Sequence, residues 1–564
     1  MFSFVLSRNT TVKPVYHNKA FTRKPCFPLL TMNSTRTMQT DNTSSPLVTS
    51  LLKQDTQSEL TQTDSGALSN PTSGRPCLDL FFLAGACREL SEDKIEEAIH
   101  LAYQESALTT LKLAFWAGDC RGGLGERRFF RITLNYLRKQ HTEVLLKLIE
   151  LVPHYNRWDS LFHLVSIDNV HSSMQKELDI HILSTIEKVL HDHPTPLLGE
   201  FLLSTKSLLA KYMPRKKQFN NFASKYRKYA LLDAKQYRAE IVALSKTVEQ
   251  NLCKKDYASI EYGHVPSKAM TKYGHTFLKR DPERYTQYAT RVKEGKDKVT
   301  AGAIFPHDIY KALLKAQGSD DNNQSVVDVI DAQWGSQPNY LEGRGDIRIL
   351  PIVDTSGSME GTPKLISVAL GIYVSERNES AFKNAFVIFS DRPKIQYLTG
   401  NVLSEKVKQF KEINAQNTDL QAVFEQILIA AKKDNLTQDD LPTHIMIISD
   451  MEFDQASPVK TSFELIDEQF KSAGYTRPNI IFWNVNGRSK NVPITAADEG
   501  TCLISGASPS IIKGVLSMNL DPIQVMLDTL NKGRYYLVEQ ALKCVPIIHV
   551  SVTSTVSGSN DEHI

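Results

Sequence analysis

Two short apolar runs in the C-terminal half of this chain each end in an aspartate. Ile349-Leu-Pro-Ile-Val353 leads into Asp354, and Ile445-Met-Ile-Ile-Ser449 leads into Asp450. Apolar runs of this length fit strands buried on both faces, as parallel sheets require. Further runs of the kind alternate with amphipathic stretches. The expected strands are 347–353, 385–389, 443–449, 479–485 and 501–504. The expected helices are 364–376, 404–413, 420–432, 462–472, 508–516 and 522–530. Such alternation predicts a doubly wound, Rossmann-like and mostly parallel sheet, whose ligands bind beyond the carboxyl ends of the strands. Asp354 and Asp450 both fall there.

The loop after the first run carries Asp354, Ser356 and Ser358, and Thr418 opens a later amphipathic run. With Asp450 these are five oxygen-bearing side chains, the donor type that a hard cation such as Mg²⁺ or Mn²⁺ prefers. Ser356 and Ser358 are expected to bind directly, Thr418 directly or through water, and the two aspartates mainly through water. So few direct anionic ligands leave the ion electrophilic, and a carboxylate or phosphate oxygen of a partner completes its shell. This is binding chemistry, and no residue supplies an obvious general base. A metal-dependent hydrolase using Asp450, Glu452 and Asp454 is the enzymatic alternative. The plain alternative is that Asp354 and the serines only cap the next turn. The pattern resembles the metal-ion-dependent adhesion site of the von Willebrand factor A family, which implies that fold for residues 346–535.

The remainder of the chain reads differently. Residues 1–75 are rich in Ser, Thr, Asn, Gln and Pro and are expected to be disordered. The first 40 contain no Asp or Glu but six Lys or Arg, so they read as a polar tail or, alternatively, a mitochondrial transit peptide. Seven cysteines without CxxC spacing favour a reducing compartment. The expected location is therefore cytoplasmic, or mitochondrial if the transit reading holds. No apolar run approaches the roughly 20 residues that span a bilayer, and no membrane partner is expected. Residues 76–317 read as short helices in succession, a HEAT-like helical-repeat domain. A linker is expected over 318–345 and a C-terminal extension over 536–564.

Two helical loops stand out. Gly118-Asp-Cys-Arg-Gly-Gly-Leu-Gly-Glu-Arg-Arg128 has glycine spacing that could cradle phosphate, but no strand precedes it. A tight turn whose Asp119 and Glu126 pair the arginines is the simpler reading. In Tyr155-Asn-Arg-Trp-Asp159, Trp158 reads as a core anchor. Residues 201–300 hold 22 Lys and Arg against 9 Asp and Glu, with nine tyrosines. Basic groups follow a phosphate backbone and aromatic faces stack on unpaired bases, so this segment is the candidate for RNA binding. The residues singled out are Arg215, Lys216, Lys217, Lys225, Arg227, Lys228, Lys279 and Arg280. The alternative is a solvated helix face with half-buried tyrosines.

Several pieces occur in a fixed order. They are Arg121-Gly-Gly-x-Gly-Glu-Arg127, Tyr155-Asn-Arg-Trp-Asp159, Val265-Pro-Ser267, Asp354-x-Ser-Gly-Ser-Met359, Asn417-Thr-Asp419, Ser449-Asp-Met-Glu-Phe-Asp-Gln455 and Gly474-Tyr-x-x-Pro478 with Ile481-Phe-Trp-Asn484. Together they resemble the family called domain of unknown function 2828, over roughly residues 76–535. That family is similar in layout to the Ro autoantigen (TROVE) proteins, which join a ring of HEAT-like repeats to a von Willebrand A domain and bind small structured RNAs. The resemblance implies a non-catalytic, RNA-binding ribonucleoprotein scaffold with a metal site. The alternative is a protein-interaction module that captures an acidic residue of a partner through the metal.

Overall fold

A computed structural model describes residues 60–165, 172–215, 220–318, 323–389, 393–410, 418–455, 460–487, 491–518 and 520–543. The expected disorder of residues 1–59, the basic pair Lys216 and Lys217, and residues 544–564 of the extension lie outside them. Helices dominate up to residue 335, and a six-stranded mixed sheet with flanking helices follows. The helices range from 4 to 18 residues in length.

A small antiparallel hairpin comes first, β1 (Thr61–Gln62) and β2 (Leu68–Ser69). The main sheet contains β3 (Ile349–Val353), β4 (Ala385–Ile388), β5 (Ile395–Tyr397), β6 (His444–Ser449), β7 (Asn479–Asn484) and β8 (Thr501–Ser505). Its order is β5-β4-β3-β6-β7-β8, parallel throughout except for β5. All residues of β3, β4, β6 and β8 are buried, which explains their unbroken apolar runs. The five predicted strands are present. β5 is the addition, a three-residue antiparallel edge strand with exposed Ile395 and Tyr397.

The domain limits shift in three places. The predicted tail runs to residue 75, yet residues 60–75 contain the hairpin. Its stability comes from distant chain: Thr63 Oγ1 donates to the Phe453 carbonyl at 2.7 Å, and Asn70 bridges Val492. The predicted linker contains the Gln324–Gly335 helix, which packs against the Pro282–Lys293 and Pro306–Gln317 helices. Val326, Val329, Ile330 and Trp334 form its buried stripe, at helical spacing. The predicted extension begins with the Tyr536–Leu542 helix, which rests on the Ala107–Gly118 and Thr142–Leu148 helices.

The helical region and the sheet belong to one compact unit. The Pro76–Ala84 helix packs on the edge strand β8. Its last turn approaches so closely that a Cβ on Gly85 would lie 2.4 Å from the Gly506 nitrogen. Ser505 Oγ donates to the Phe81 carbonyl and accepts from the Gly85 N–H, at 3.0 and 2.9 Å. The edge of the sheet is therefore covered by a helix that opens the other half of the chain.

The glycine loop is a packing turn. A Cβ on Gly123 would lie 1.8 Å from the Trp116 carbonyl oxygen. Its two acids do pair with arginines, but with distant ones. Glu126 meets Arg88, and the fully buried Asp119 meets Arg534. Asp119 accepts from the Arg534 guanidinium, from Tyr535 Oη at 3.2 Å and from the Arg121 N–H at 2.9 Å. In the neighbouring loop, Trp158 is 2% exposed and donates to Thr205 Oγ1, as expected for a core anchor. Asp159 sits between Arg131 and Arg157. Replacing one partner of a buried pair strands the others, so Asp119→Ala should cost about 3 kcal/mol. Urea unfolding should show this as a lowered midpoint with an unchanged slope.

Candidate metal centre

β3 and β6 pair in register from Ile349 with His444 to Val353 with Ile448. One residue further, Asp354 and Ser449 face each other, and Asp450 follows. The Asp354 N–H donates to the Ile448 carbonyl at 3.2 Å, which extends the ladder by one bond. Ser367 of the Thr362–Arg377 helix bridges the same two strands, donating to the Ile448 carbonyl at 2.9 Å and accepting from the Asp354 N–H at 3.1 Å. The backbone that presents the first carboxylate is thus locked.

The Asp354 side chain is fully buried. One carboxylate oxygen accepts from the Ser356 N–H at 2.9 Å and the other from Ser449 Oγ at 2.6 Å. Ser356 Oγ and Ser358 Oγ lie 3.1 Å apart, and Ser358 is close enough to Asp450 to favour its charged form. Asp450 is 2% exposed. Its Oδ1 accepts from the Glu452 N–H at a long 3.4 Å, and its Oδ2 is buried without any partner. Met451, next in the chain, is buried at φ +68°, a left-handed conformation costly for a side chain of this size. The turn that aims Asp450 inward is strained.

Four of the five predicted oxygens, on Asp354, Ser356, Ser358 and Asp450, are joined in this way. Thr418 is buried at the same edge but linked at one remove. Its N–H donates to Asp454 Oδ2 at 2.8 Å, and its carbonyl accepts from the Asp454 N–H at 3.2 Å. Asp454 in turn lies near enough to Asp354 to act on its charge. Ser367 and Ser449 are not among the expected site residues, and Asp454 figures there only in the hydrolase alternative. Ser449 had a signal, since it directly precedes Asp450 on a strand whose end was already marked.

Burial pushes the Asp354 carboxyl above the usual carboxylate range. Burial and the nearby Asp354 push Asp450 up to about 6. Two desolvated carboxylates, one with a partnerless buried oxygen, form a site to which no cation among the described residues is paired. Oxygen ligands placed about 2.1 Å from an octahedral ion lie roughly 3 Å apart along each edge. The 3.1 Å between the two serine hydroxyls matches that spacing. The donor set fits a hard divalent cation. Among the described residues, no three His, Cys, Asp or Glu side chains cluster as metal ligands, so any ion held here relies on the hydroxyls.

The basic residues of the helical region are dispersed. The Arg215 guanidinium is spent internally, on the Ala210 and Ile241 carbonyls and Ser245 Oγ. Lys225 pairs with Asp179 at 2.9 Å, and Arg227 donates to the Ala223 carbonyl of its own helix. Lys228, Lys279 and Arg280 are exposed. Of the nine tyrosines, Tyr226, Tyr237, Tyr262, Tyr285 and Tyr288 are buried; Tyr262 and Tyr285 pack on Phe277, and Tyr288 on Tyr262. These five belong to the core and offer no stacking face.

Two family models match the chain. Residues 180–347 match Domain of unknown function (DUF2828), and residues 348–532 match Domain of unknown function (DUF7788). The first resemblance is therefore narrower than the 76–535 expected, and the metal-site motifs fall in the second family. The chain is also similar to Uncharacterized protein L728 of Acanthamoeba polyphaga mimivirus, 26% identical over 509 residues, covering 84% of this chain and 87% of that protein.

The raised Asp450 value has a defined sign. The folded state holds this proton more tightly than the unfolded chain, whose carboxyl titrates near 3.9. The resulting stabilisation is complete below about 4 and lost as pH rises through about 6. In chelator, the wild type should gain about 2 kcal/mol relative to Asp450→Asn between pH 7 and pH 4.5. Paired urea titrations across that range measure it.

Proposed function

We propose that this protein is a non-catalytic docking module that holds Mg²⁺ or Mn²⁺ at the edge of its sheet and captures an acidic residue of a partner protein. The observation that carries the reading is Asp450 Oδ2, buried and without a hydrogen-bond partner at the strand end that faces the Ser356–Ser358 hydroxyl pair's loop. Ser356, Ser358 and Thr418 would hold the ion, with Asp354 and Asp450 behind them. The bound ion supplies an electrophile with room for one more oxygen. The protein's own groups orient the hydroxyls: Asp354 fixes the Ser356 backbone, and the Ser356 and Ser358 hydroxyls hydrogen-bond each other. The resemblance to the von Willebrand A adhesion site supports the same chemistry. A hydrolase is less well supported, because Glu452 Oε2 and Asp454 Oδ2 both accept backbone N–H groups, from Asp64 and Thr418.

Calorimetric titration with Mn²⁺ should give one site per chain, with affinity rising as pH passes 6, because the ion competes with protons for the carboxylates. Asp450→Ala and Ser358→Ala should each weaken it by more than about tenfold. Titrations that ignore both substitutions would sink the proposal.

A second reading, RNA capture by the helical region in the Ro-like manner, retains one specific support. Lys228, Lys279 and Arg280 are exposed, with no acidic partner among the described residues. Together with the 22-to-9 excess of Lys and Arg over residues 201–300, they offer charge to a phosphate backbone. The triple charge reversal of these three should then flatten the salt dependence of single-stranded RNA binding by about two to three log–log units. Filter binding between 50 and 300 mM salt measures the slope, and an unchanged slope removes the reading.

A further inference from the structure

Thr418 is the site residue with the least direct support. Among the described contacts, Asp454 alone ties it to the rest of the centre, through one backbone bond on each side of Thr418. The segment that carries Asp454 is itself held from outside the sheet. Thr63 Oγ1 donates to the Phe453 carbonyl at 2.7 Å. The Asp64 N–H donates to Glu452 Oε2 at 2.6 Å, and Gly66 forms an antiparallel bridge with Asp454 itself. Thr63 is firmly placed, since it also closes its own turn with the Ala67 and Gly66 N–H groups. Phe453 anchors the segment below by packing against Phe389 and Phe482.

A continuous run of hydrogen bonds therefore leads from the β1–β2 hairpin through residues 452–454 to Thr418. The same segment begins at the strained Met451, directly after Asp450. Its position sets both the third hydroxyl and the second carboxylate. Glu452 and Asp454 each use an oxygen to accept from backbone, which is the work of a bracket and leaves the ion to the hydroxyls.

We propose that the Thr61–Ser69 hairpin is a strap that sets the metal affinity of the centre by positioning Thr418, with Glu452 and Asp454 as positioning residues. This inference rests on the cation reading above. Releasing the strap lets the 452–454 segment and Thr418 drift, and the docking point loses its ion. Metal-dependent capture is thereby coupled to whatever holds or displaces the chain around residue 60.

The test is Mn²⁺ calorimetry on the full chain, paired with melting of each variant in chelator. Asp454→Ala removes the bracket and should lose about 10- to 100-fold in affinity. Asp454→Asn keeps an acceptor oxygen for the Thr418 N–H and should bind as the wild type does. Thr63→Val, which cuts the strap without touching the site, should lose affinity in the same direction as Asp454→Ala while the chelated protein still melts cooperatively. Equal losses in Asp454→Asn and Asp454→Ala would make Asp454 a ligand by charge and overturn the inference. So would wild-type affinity in both Asp454→Ala and Thr63→Val. Asp450→Ala marks the other failure: if the wild type takes up no more Mn²⁺ than this variant, the cation reading falls, and the strap with it.

Discussion

The parallel pairing of β3 with β6 is the constraint on which the sheet edge depends. It places two aspartates one residue beyond adjacent strand ends, in the interior of the molecule. Among the described residues, neither carboxylate is paired with a cation of the protein. Asp354 is compensated by hydrogen bonds from Ser356 and Ser449, and Asp450 only in part. Burying carboxylates without a counter-charge costs several kcal/mol each, and a fold that served stability alone would place apolar residues there. The strained Met451 adds to the same cost. Strain and uncompensated charge coincide at one spot, which is the observation on which the docking proposal rests.

The second organising interaction is the Asp119–Arg534 pair. It joins the glycine loop of the helical region to the start of the C-terminal helix, with Tyr155 and Tyr535 closing around it. The loop reads as a phosphate cradle only while its neighbours are unknown. Trp116, Phe130 and Arg534 occupy the space around Gly118, Gly122 and Gly123, so those glycines serve close packing.

Much of the sheet was legible in the sequence because burial on both faces leaves an unmistakable apolar run. β5 was not, since Ile395-Gln-Tyr397 is short and exposed. The hairpin was not, since its polar residues gain structure from Phe453 and Val492, far along the chain. The Gln324–Gly335 helix hid between a polar stretch and a glycine-flanked loop, although its valines and Trp334 have helical spacing. The tyrosines of residues 201–300 were legible as aromatic but not as buried. Tyr285 and Tyr288 share one face of one helix, and only the packing of Tyr262 and Phe277 against them shows which way that face turns. At the candidate metal centre, the five residues could be named from motif spacing. Their wiring through Ser449 and Asp454 required the strands to be paired.

The two matched families meet at residues 347 and 348. The Gly85–Gly506 approach crosses that boundary. A helix from before it lies on a strand from after it, at a distance that admits no side chain on Gly85, and Gly506 sits at φ +98°, where a side chain is strained. Swapping either half for that of a relative therefore demands that both small residues travel together. Parting the two halves would leave β8 with a naked edge, prone to pair with another molecule. The boundary visible in the sequence is not a boundary in the packing.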